Sequence, residues 1–167
     1  LVLIDSISSR RAPTAGRAAE AEQMDAPEWN AFGDRIRTVA KLGVDHGLTV
    51  SIHAHAAGFI DFEPELERLL DETDAGLLKI CFDTGHHSYA GFDPVAFMRR
   101  HIQRISYMHF KDIDPVVKAR AVASRMGFYD ATGQGIFCNL GKGDVDFAAV
   151  RQVLLDAKFE GWCTVEQ

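Results

Sequence analysis

The residues best placed to do chemistry are Asp83, His86 and His87, which closely follow the apolar run Leu77–Phe82. That run has the length and composition of a strand buried on both faces, as strands of parallel sheets are. A carboxylate at the carboxyl end of such a strand, with imidazoles three and four residues later, is where α/β enzymes place their reactive groups. The alternative is a loop in which Asp83 only caps the next helix.

The same arrangement recurs along the chain. Short apolar runs predict strands near residues 1–4, 48–52, 77–82, 104–108 and 161–165. Each is followed by a side chain that can bind a metal or move a proton, and these are Asp5, His53, Asp83, His109 and Glu166. Because carboxyl ends of parallel barrel strands share one face, we expect them to converge. Such a mixed set suits Mn²⁺, Co²⁺, Zn²⁺ or Fe²⁺ better than Ca²⁺. Independent helix caps and structural histidines are the alternative.

Helical patterns separate these strands. Asp25 and Pro27 predict the start of a helix that continues to about His46, with Gly47 ending it. Further helices are predicted around residues 64–70 and 93–101, and after a cap at Asp144 or Asp146. Strands that alternate with helices imply a parallel sheet and the α/β class.

Two segments lack this pattern. Residues 6–23 form a polar, Ala- and Arg-rich stretch without a periodic apolar face. Between Lys111 and Gly143 we expect a short helix over 115–125 and then a long loop over 127–143. Loops of that length inside a compact domain are usually functional or disordered.

Composition limits the function classes. With 167 residues, 47% of them hydrophobic, the chain suits one globular unit. A net charge of −6 leaves no basic footprint for nucleic acid or an anionic membrane surface. No apolar run approaches the roughly 20 residues that span a bilayer. We interpret the three cysteines as reduced, which favours a cytoplasmic protein. Since the chain starts at Leu1 within a strand-like run, we expect no signal peptide and a piece of a longer protein.

Several short motifs occur together in one order. They are HAH at 53–55, FDTGH at 82–86, HFKD at 109–112, FYD to GIF over 128–137, GKGDVDF at 141–147, and GW to VEQ over 161–167. With them the chain resembles the xylose-isomerase-like TIM-barrel superfamily of sugar isomerases, epimerases and dehydratases, above all the inosose (2-keto-myo-inositol) dehydratases. The resemblance implies a parallel (β/α)8 barrel of about 250 residues or more. Residues 1–167 would then be the C-terminal part of that single domain, holding about strands four to eight without the N-terminal strands.

The resemblance also implies a divalent metal ion held by Asp83, His109 and Glu166, with a further ligand from the strand that ends at His53. Many relatives carry a glutamate there, so the fourth ligand stays open between His53, His55 and a water molecule. Asp61 stands where relatives often have Glu, Gln or Asn, and it is a candidate for substrate binding.

Two further side chains, His86 and Lys111, have both a functional and a structural interpretation. We expect His86 to face the substrate, although it could be a loop hydrogen-bonder. Lys111 lies two residues past His109, on the same side of an extended segment, so we favour a site role over a solvated lysine. His87, His46 and His101 are predicted to be surface or helix-end residues, the last two near helix C-termini.

These observations favour a metal-dependent lyase or isomerase that acts on a cyclic or open-chain polyol ketone. The resemblance implies a dehydratase of a cyclic one, 2-keto-myo-inositol in inositol catabolism. The metal ion would polarise the ketone and stabilise the enediolate. His53, His55, His86 or Lys111 would move protons, with His55, His86 and Lys111 also touching the substrate.

An isomerase or epimerase on the same scaffold is the nearest alternative. A DNA-repair endonuclease of the superfamily would need a further Asp-x-His motif, which we do not find. A non-catalytic interaction module is the third class. We expect a small-molecule substrate, no nucleic-acid or membrane partner, and a homo-oligomer.

Overall fold

A computed structural model describes residues 1–167 and contains one parallel five-stranded sheet in the order β1-β2-β3-β4-β7. Every neighbouring pair in it is parallel, which confirms the α/β class predicted from the alternating pattern. The strands are β1 (Val2–Ile4), β2 (Ser51–His53), β3 (Lys79–Asp83), β4 (Ile105–Phe110) and β7 (Trp162–Val165).

Helices connect the strands. The helices are α1 (Ala26–Asp45), α2 (Glu63–Asp71), α3 (Thr84–Tyr89), α4 (Pro94–His101), α5 (Pro115–Ala123), α6 (Phe128–Gly133) and α7 (Phe147–Asp156). Asp25 caps α1 as expected, because its carboxylate accepts the Glu28 backbone N–H and the Glu28 side chain returns to the Asp25 N–H. Gly47, with φ +75°, ends that helix. No helix is long and apolar enough to cross a membrane.

Two faces of the sheet have different roles. Ile52, Ile80 and Met108 are fully buried and pack with side chains from α1, α2, α4 and α7 in the main core. Burying one such side chain contributes roughly 1.5–3 kcal/mol. Because successive strand residues point to opposite faces, His53 and Cys81 are presented on the other face. That second face carries the candidate site.

Two segments contain more regular structure than the sequence suggests. Residues 84–89 form α3 where a loop was expected, and all six are buried. The segment 127–143 was expected to be one long loop, but it contains α6 and the two-residue strand β6 (Phe137–Cys138). β6 pairs antiparallel with β5 (Asp112–Ile113), so this part of the prediction was wrong.

The stretch from Lys111 to Gly143, here called the excursion, is closed at its base by Asp112. This carboxylate is fully buried and accepts backbone N–H groups from Gly141 at 2.8 Å, Gly143 at 2.9 Å and Val145 at 3.1 Å. A Cβ at Gly143 would overlap the Asp112 carboxylate, so only glycine fits there. The two motifs HFKD and GKGDVDF therefore meet at one carboxylate.

Candidate metal centre

The sheet register brings the candidate ligands together. Asp83 and His109 are direct partners across β3 and β4. Glu166 follows β7, and its backbone N–H donates to the carbonyl of Phe110 at 3.0 Å. Parallel neighbours that end at the same edge therefore present three potential ligands to one space.

Two groups of ligand atoms share Asp83. The ligand atoms of Asp83, His109 and Glu166 all lie within 4.8 Å of one another, and so do those of His53, Asp83 and His86. His109 Nδ1 is 3.6 Å from Asp83 Oδ2 and 3.2 Å from Glu166 Oε1. His53 Nε2 is 3.9 Å from Asp83 Oδ2. The arrangement is an O,N,O set with an adjoining imidazole, as divalent transition metals bind.

Two buried atoms favour a bound cation over a purely structural cluster. Asp83 Oδ2 and His109 Nδ1 are buried without a hydrogen-bond partner, which is costly unless something else binds them. The other carboxylate oxygen, Oδ1, accepts the backbone N–H of His86 at 2.8 Å and caps α3. Asp83 therefore serves both as a helix cap and as a candidate ligand.

Backbone carbonyl groups determine which ring nitrogen carries the hydrogen in the two histidines of the HAH motif. His53 Nδ1 lies 2.7 Å from the Ala54 carbonyl, and His55 Nδ1 lies 2.8 Å from the Ala56 carbonyl. Each Nδ1 must carry the hydrogen to donate to a carbonyl, which leaves the Nε2 lone pair free. A backbone carbonyl in this role is the usual support of a metal-binding histidine. Of the two, His53 is the one whose Nε2 approaches Asp83, and His55 joins neither ligand group.

Burial controls the charges of the site. It lowers the pKa of His53 to about 4, lowers that of His55, and lowers that of His86 to well below its usual value. Burial alone would raise the pKa of Asp83, but the facing groups of His86, His109 and Lys111 bring it below its usual range. The site at neutral pH thus pairs an ionised carboxylate with neutral imidazoles, the forms that bind metals.

Lys111 lies inside the cluster, on the side of His109, as its spacing suggested. Its Nζ is 2.8 Å from Glu166 Oε2, 3.5 Å from Asp83 Oδ2 and 3.2 Å from His86 Nε2. Its stem passes so close to Gly85 that a Cβ there would be 2.6 Å from Lys111 Cγ. The glycine of the FDTGH motif therefore provides the space that Lys111 occupies.

We expect Gly85→Ala to lower turnover at least about tenfold, because the added methyl group must displace Lys111 from the carboxylates. Metal content should stay near normal, since no ligand is changed. Gly133→Ala is the matched control: Gly133 also lies in a short helix, but a Cβ there would meet no atom within 4 Å. Steady-state kinetics with metal analysis test this, and normal turnover of Gly85→Ala would remove Lys111 from the mechanism.

The rings of His86 and His55 pack against each other at an angle of 40°, with centroids 3.9 Å apart. His86 Nδ1 accepts the backbone N–H of Ala56 at 3.2 Å, and His86 Nε2 lies 3.2 Å from Lys111 Nζ. The HAH loop and α3 thereby hold each other in place.

Asp61 and Asp5 contact the loop after β2. Asp61 is buried, and its Oδ2 accepts the backbone N–H of Ala57, a residue with φ +70°. Burial raises the pKa of Asp61 to about 7. Asp5 Oδ2 accepts the backbone N–H of Phe59 at 2.6 Å. Asp5 belongs to neither ligand group, so the expectation that all five strand-end groups converge was wrong for this residue.

Three other histidines belong to neither candidate ligand group. The prediction of a surface position for His87 was wrong: it is buried against Phe82 and Phe97, and burial lowers its pKa to about 3. His46 is exposed at the end of α1. His101 ends α4 and lies 2.9 Å from Glu67 Oε1. The last two match their helix-end predictions.

Two aromatic side chains of the site were not identified from the sequence. The ring of Phe137 lies 5.0 Å from that of His86 and 4.9 Å from Lys111 Nζ, and the ring of Phe128 lies 5.6 Å from that of His55. Both belong to the FYD-to-GIF motif, and the presence of this motif in the sequence could have identified them as site residues. The excursion that carries them therefore covers one side of the candidate site.

A parallel sheet whose carboxyl edge gathers carboxylates, imidazoles and a lysine is the arrangement of (β/α)8-barrel enzymes. The sequence profile of the xylose isomerase-like TIM barrel family matches residues 10–167. The chain belongs to this family.

Two curated relatives are inosose dehydratases. An inosose dehydratase of Clostridium botulinum (strain Alaska E43 / Type E3) is 30% identical over 139 residues, which is 83% of this chain and 47% of that protein. An inosose dehydratase of Geobacillus kaustophilus (strain HTA426) is 31% identical over 157 residues, 94% of this chain and 50% of that protein. The chain spans about half the length of the curated relatives it matches.

Solved structures share the fold. The probable 3-DHS dehydratase AsbF of Bacillus anthracis superimposes with a TM-score of 0.72 at 21% identity, over 99% of this chain and 57% of that one. An IOLI protein with a bound zinc atom superimposes with a TM-score of 0.68 at 11% identity, over 99% of this chain and 52% of that one. An L-ribulose 3-epimerase superimposes with a TM-score of 0.68 at 15% identity, over 99% of this chain and 48% of that one. These likenesses establish the fold, and the partial coverage fits part of a barrel.

Proposed function

We propose that this chain carries the metal centre of a divalent-metal-dependent dehydratase that acts on a cyclic polyol ketone, 2-keto-myo-inositol. The observation that supports this most is the group formed by Asp83, His109 and Glu166 beside Lys111 and two imidazoles in contact. The similarity to inosose dehydratases supports the substrate. Removal of water next to a ketone needs a Lewis acid, a base and a proton donor, and this set offers all three.

Asp83, His109 and Glu166 would hold the ion, with His53 Nε2 as the fourth candidate ligand, since it faces Asp83 while its Nδ1 is held by the Ala54 carbonyl. The identity of the ion is Mn²⁺, Co²⁺, Zn²⁺ or Fe²⁺ by the chemistry of the donors. When bound, the ion supplies Lewis acidity to a carbonyl oxygen.

The remaining side chains would move protons. His55 Nε2 has a free lone pair, since its Nδ1 hydrogen is donated to the Ala56 carbonyl, and we assign it as the base that removes the proton next to the ketone. Lys111 Nζ, between the carboxylates and His86, would protonate the departing hydroxyl group. His86, whose Nε2 lies 3.2 Å from Lys111 Nζ, would line the site beside that ammonium. The cover formed by the excursion would keep bulk water from these groups.

An isomerase or epimerase remains the second candidate, because the fold likeness extends to an L-ribulose 3-epimerase. That reaction requires the same proton removal, but the proton returns to carbon and no hydroxyl group leaves. The discriminating feature is therefore the proton donor at the leaving hydroxyl, here assigned to Lys111.

We further propose that residues 1–167 are the C-terminal part of one barrel domain. Its sheet has two edge strands, β1 and β7, and Trp162 on β7 is 83% exposed. Unpaired edge strands with exposed apolar side chains favour pairing with further strands. Barrel strands one to three would close the sheet between these edges. A cytoplasmic location, in keeping with three free cysteines, and a possible homo-oligomer complete the proposal.

The test uses the natural protein that carries this chain. After chelation, each candidate metal is restored separately and 2-keto-myo-inositol is added. We expect metal-dependent appearance of the conjugated dione by its ultraviolet absorbance, with loss of one water by mass spectrometry. In D₂O, deuterium incorporation with recovery of an epimerised or isomerised ketone and no dione would favour the second candidate. A metal-loaded protein that does neither would contradict both.

A further inference from the structure

The candidate site has an accessible part and a buried part. His53, Asp83, His86 and His109 are buried, whereas His55, Lys111, Phe137 and Glu166 are only half-buried. A molecule that enters the site therefore meets the second set. Three of these four side chains are polar and can address hydroxyl, carbonyl or metal-bound groups, but Phe137 presents an apolar ring.

Phe137 is fixed from several sides. It lies on β6, paired with Ile113. Its ring packs against His86 at 5.0 Å, Tyr89 at 6.2 Å and Phe128 at 6.5 Å. Phe128 is itself 7% exposed, so it supports Phe137 rather than facing the site opening. Tyr89 is fully buried. A half-exposed ring held by buried rings is a rigid surface beside the reacting groups.

An aromatic ring next to polar groups matches one kind of sugar-like molecule. A six-membered polyol ring with equatorial hydroxyl groups carries its polar groups around the rim and its axial C–H bonds on two flat faces. One such face can pack on an aromatic ring while the rim reaches hydrogen-bonding groups. An open-chain polyol has no flat face and loses more conformational freedom on binding.

We propose that Phe137, supported by Phe128, is the platform for the C–H face of a six-membered polyol ring and selects cyclic over open-chain substrates. This inference rests on the proposed function, since it specifies the substrate class of the same site. The Lys111 ammonium lies over the Phe137 ring, 4.9 Å from its centroid, so a polyol ring packed on Phe137 would bring its edge hydroxyl groups against this ammonium.

The experiment measures binding without turnover. The natural metal-loaded protein is titrated with myo-inositol and with D-glucitol by calorimetry, and ligand protons near the protein are identified by saturation-transfer NMR. We expect wild-type protein to prefer the cyclic polyol, with the strongest transfer to its axial C–H protons. Phe137→Ala should weaken myo-inositol binding about tenfold and leave D-glucitol binding unchanged. Phe137→Tyr or Phe137→Trp should restore most of the preference.

Controls separate the platform from general effects. Tyr129→Ala removes a ring from the same excursion, but Tyr129 is 66% exposed and contacts Phe128 on the outside, so its preference should equal that of wild type. Phe137→Leu keeps apolar volume without a flat ring and should behave like Phe137→Ala if it folds. Equal weakening of both polyols, an unchanged preference, or no measurable binding of either polyol by wild type would overturn the inference. A protein that shows the Phe137-dependent preference but does not dehydrate 2-keto-myo-inositol would contradict the proposed function alone.

Discussion

Asp83→Asn is expected to lower metal content and turnover at least about 100-fold while the fold stays intact. An asparagine oxygen can keep the cap on α3, because Asn and Asp are equally good N-cap residues. The amide nitrogen that replaces Oδ2 has no lone pair for a cation, and the negative charge facing His53 and Lys111 is lost. Metal analysis after gel filtration, steady-state kinetics and circular dichroism together measure the effect.

Asp93→Asn is the matched control. Asp93 caps α4 through Oδ1, as Asp83 caps α3, but it contacts only the backbone N–H groups of Val95 and Ala96. Its replacement should change neither metal content nor rate. If Asp83→Asn kept normal metal content and turnover, Asp83 would be a helix cap only and the metal centre would lie elsewhere.

Arg11→Met is expected to destabilise the protein by about 3–5 kcal/mol, because it leaves the buried Glu65 carboxylate without its partner. The Arg11 guanidinium is 1% exposed and binds Glu65 at 2.7 and 3.1 Å through two nitrogens. Glu65 Oε2 also accepts the backbone N–H groups of Asp61 and Phe62, at the end of the loop that carries His55. Urea unfolding followed by circular dichroism gives the free energy of unfolding.

A double-mutant cycle identifies the cause. Arg11→Met with Glu65→Gln should recover much of the lost stability, since a neutral amide can still accept both backbone N–H groups. Arg10→Met is the surface control: Arg10 pairs with Glu22 and Glu28 in solvent, where ion pairs contribute little. If the double variant were as unstable as Arg11→Met, the loss of stability would come from the poor fit of the methionine side chain and not from the unpaired Glu65 carboxylate.

The part of the fold predicted from sequence is the part with local patterns. The run before Asp83 is apolar at every position except Lys79, and the helix after Asp25 has a capping box and an apolar stripe. Each signal lies within a single strand or helix and its cap. The carboxyl ends of parallel strands lie at one edge of a sheet, and this alone predicted that Asp83 and His109 would be neighbours.

Features that depend on distant contacts were missed. Helix α3 has six residues, too few for a visible period, and it forms because Asp83 caps it and the whole segment is buried. Strand β6 exists only through its pairing with β5, about 25 residues earlier in the chain. Arg11 lies in a segment without periodicity, and nothing local shows that it binds Glu65, 54 residues away.

Because one carboxylate, that of Asp112, anchors both ends of the excursion, the chain between these ends can be replaced as a unit. Its two ends are held at one point, because Asp112 binds the backbone of Gly141 and Gly143 directly after Lys111. The intervening chain can therefore change in length without moving Lys111, and each doubling of that length costs only about 0.6 kcal/mol of closure entropy. Insertion or replacement between these anchors can change the surface beside the candidate site while Asp83, His109 and Glu166 stay where they are.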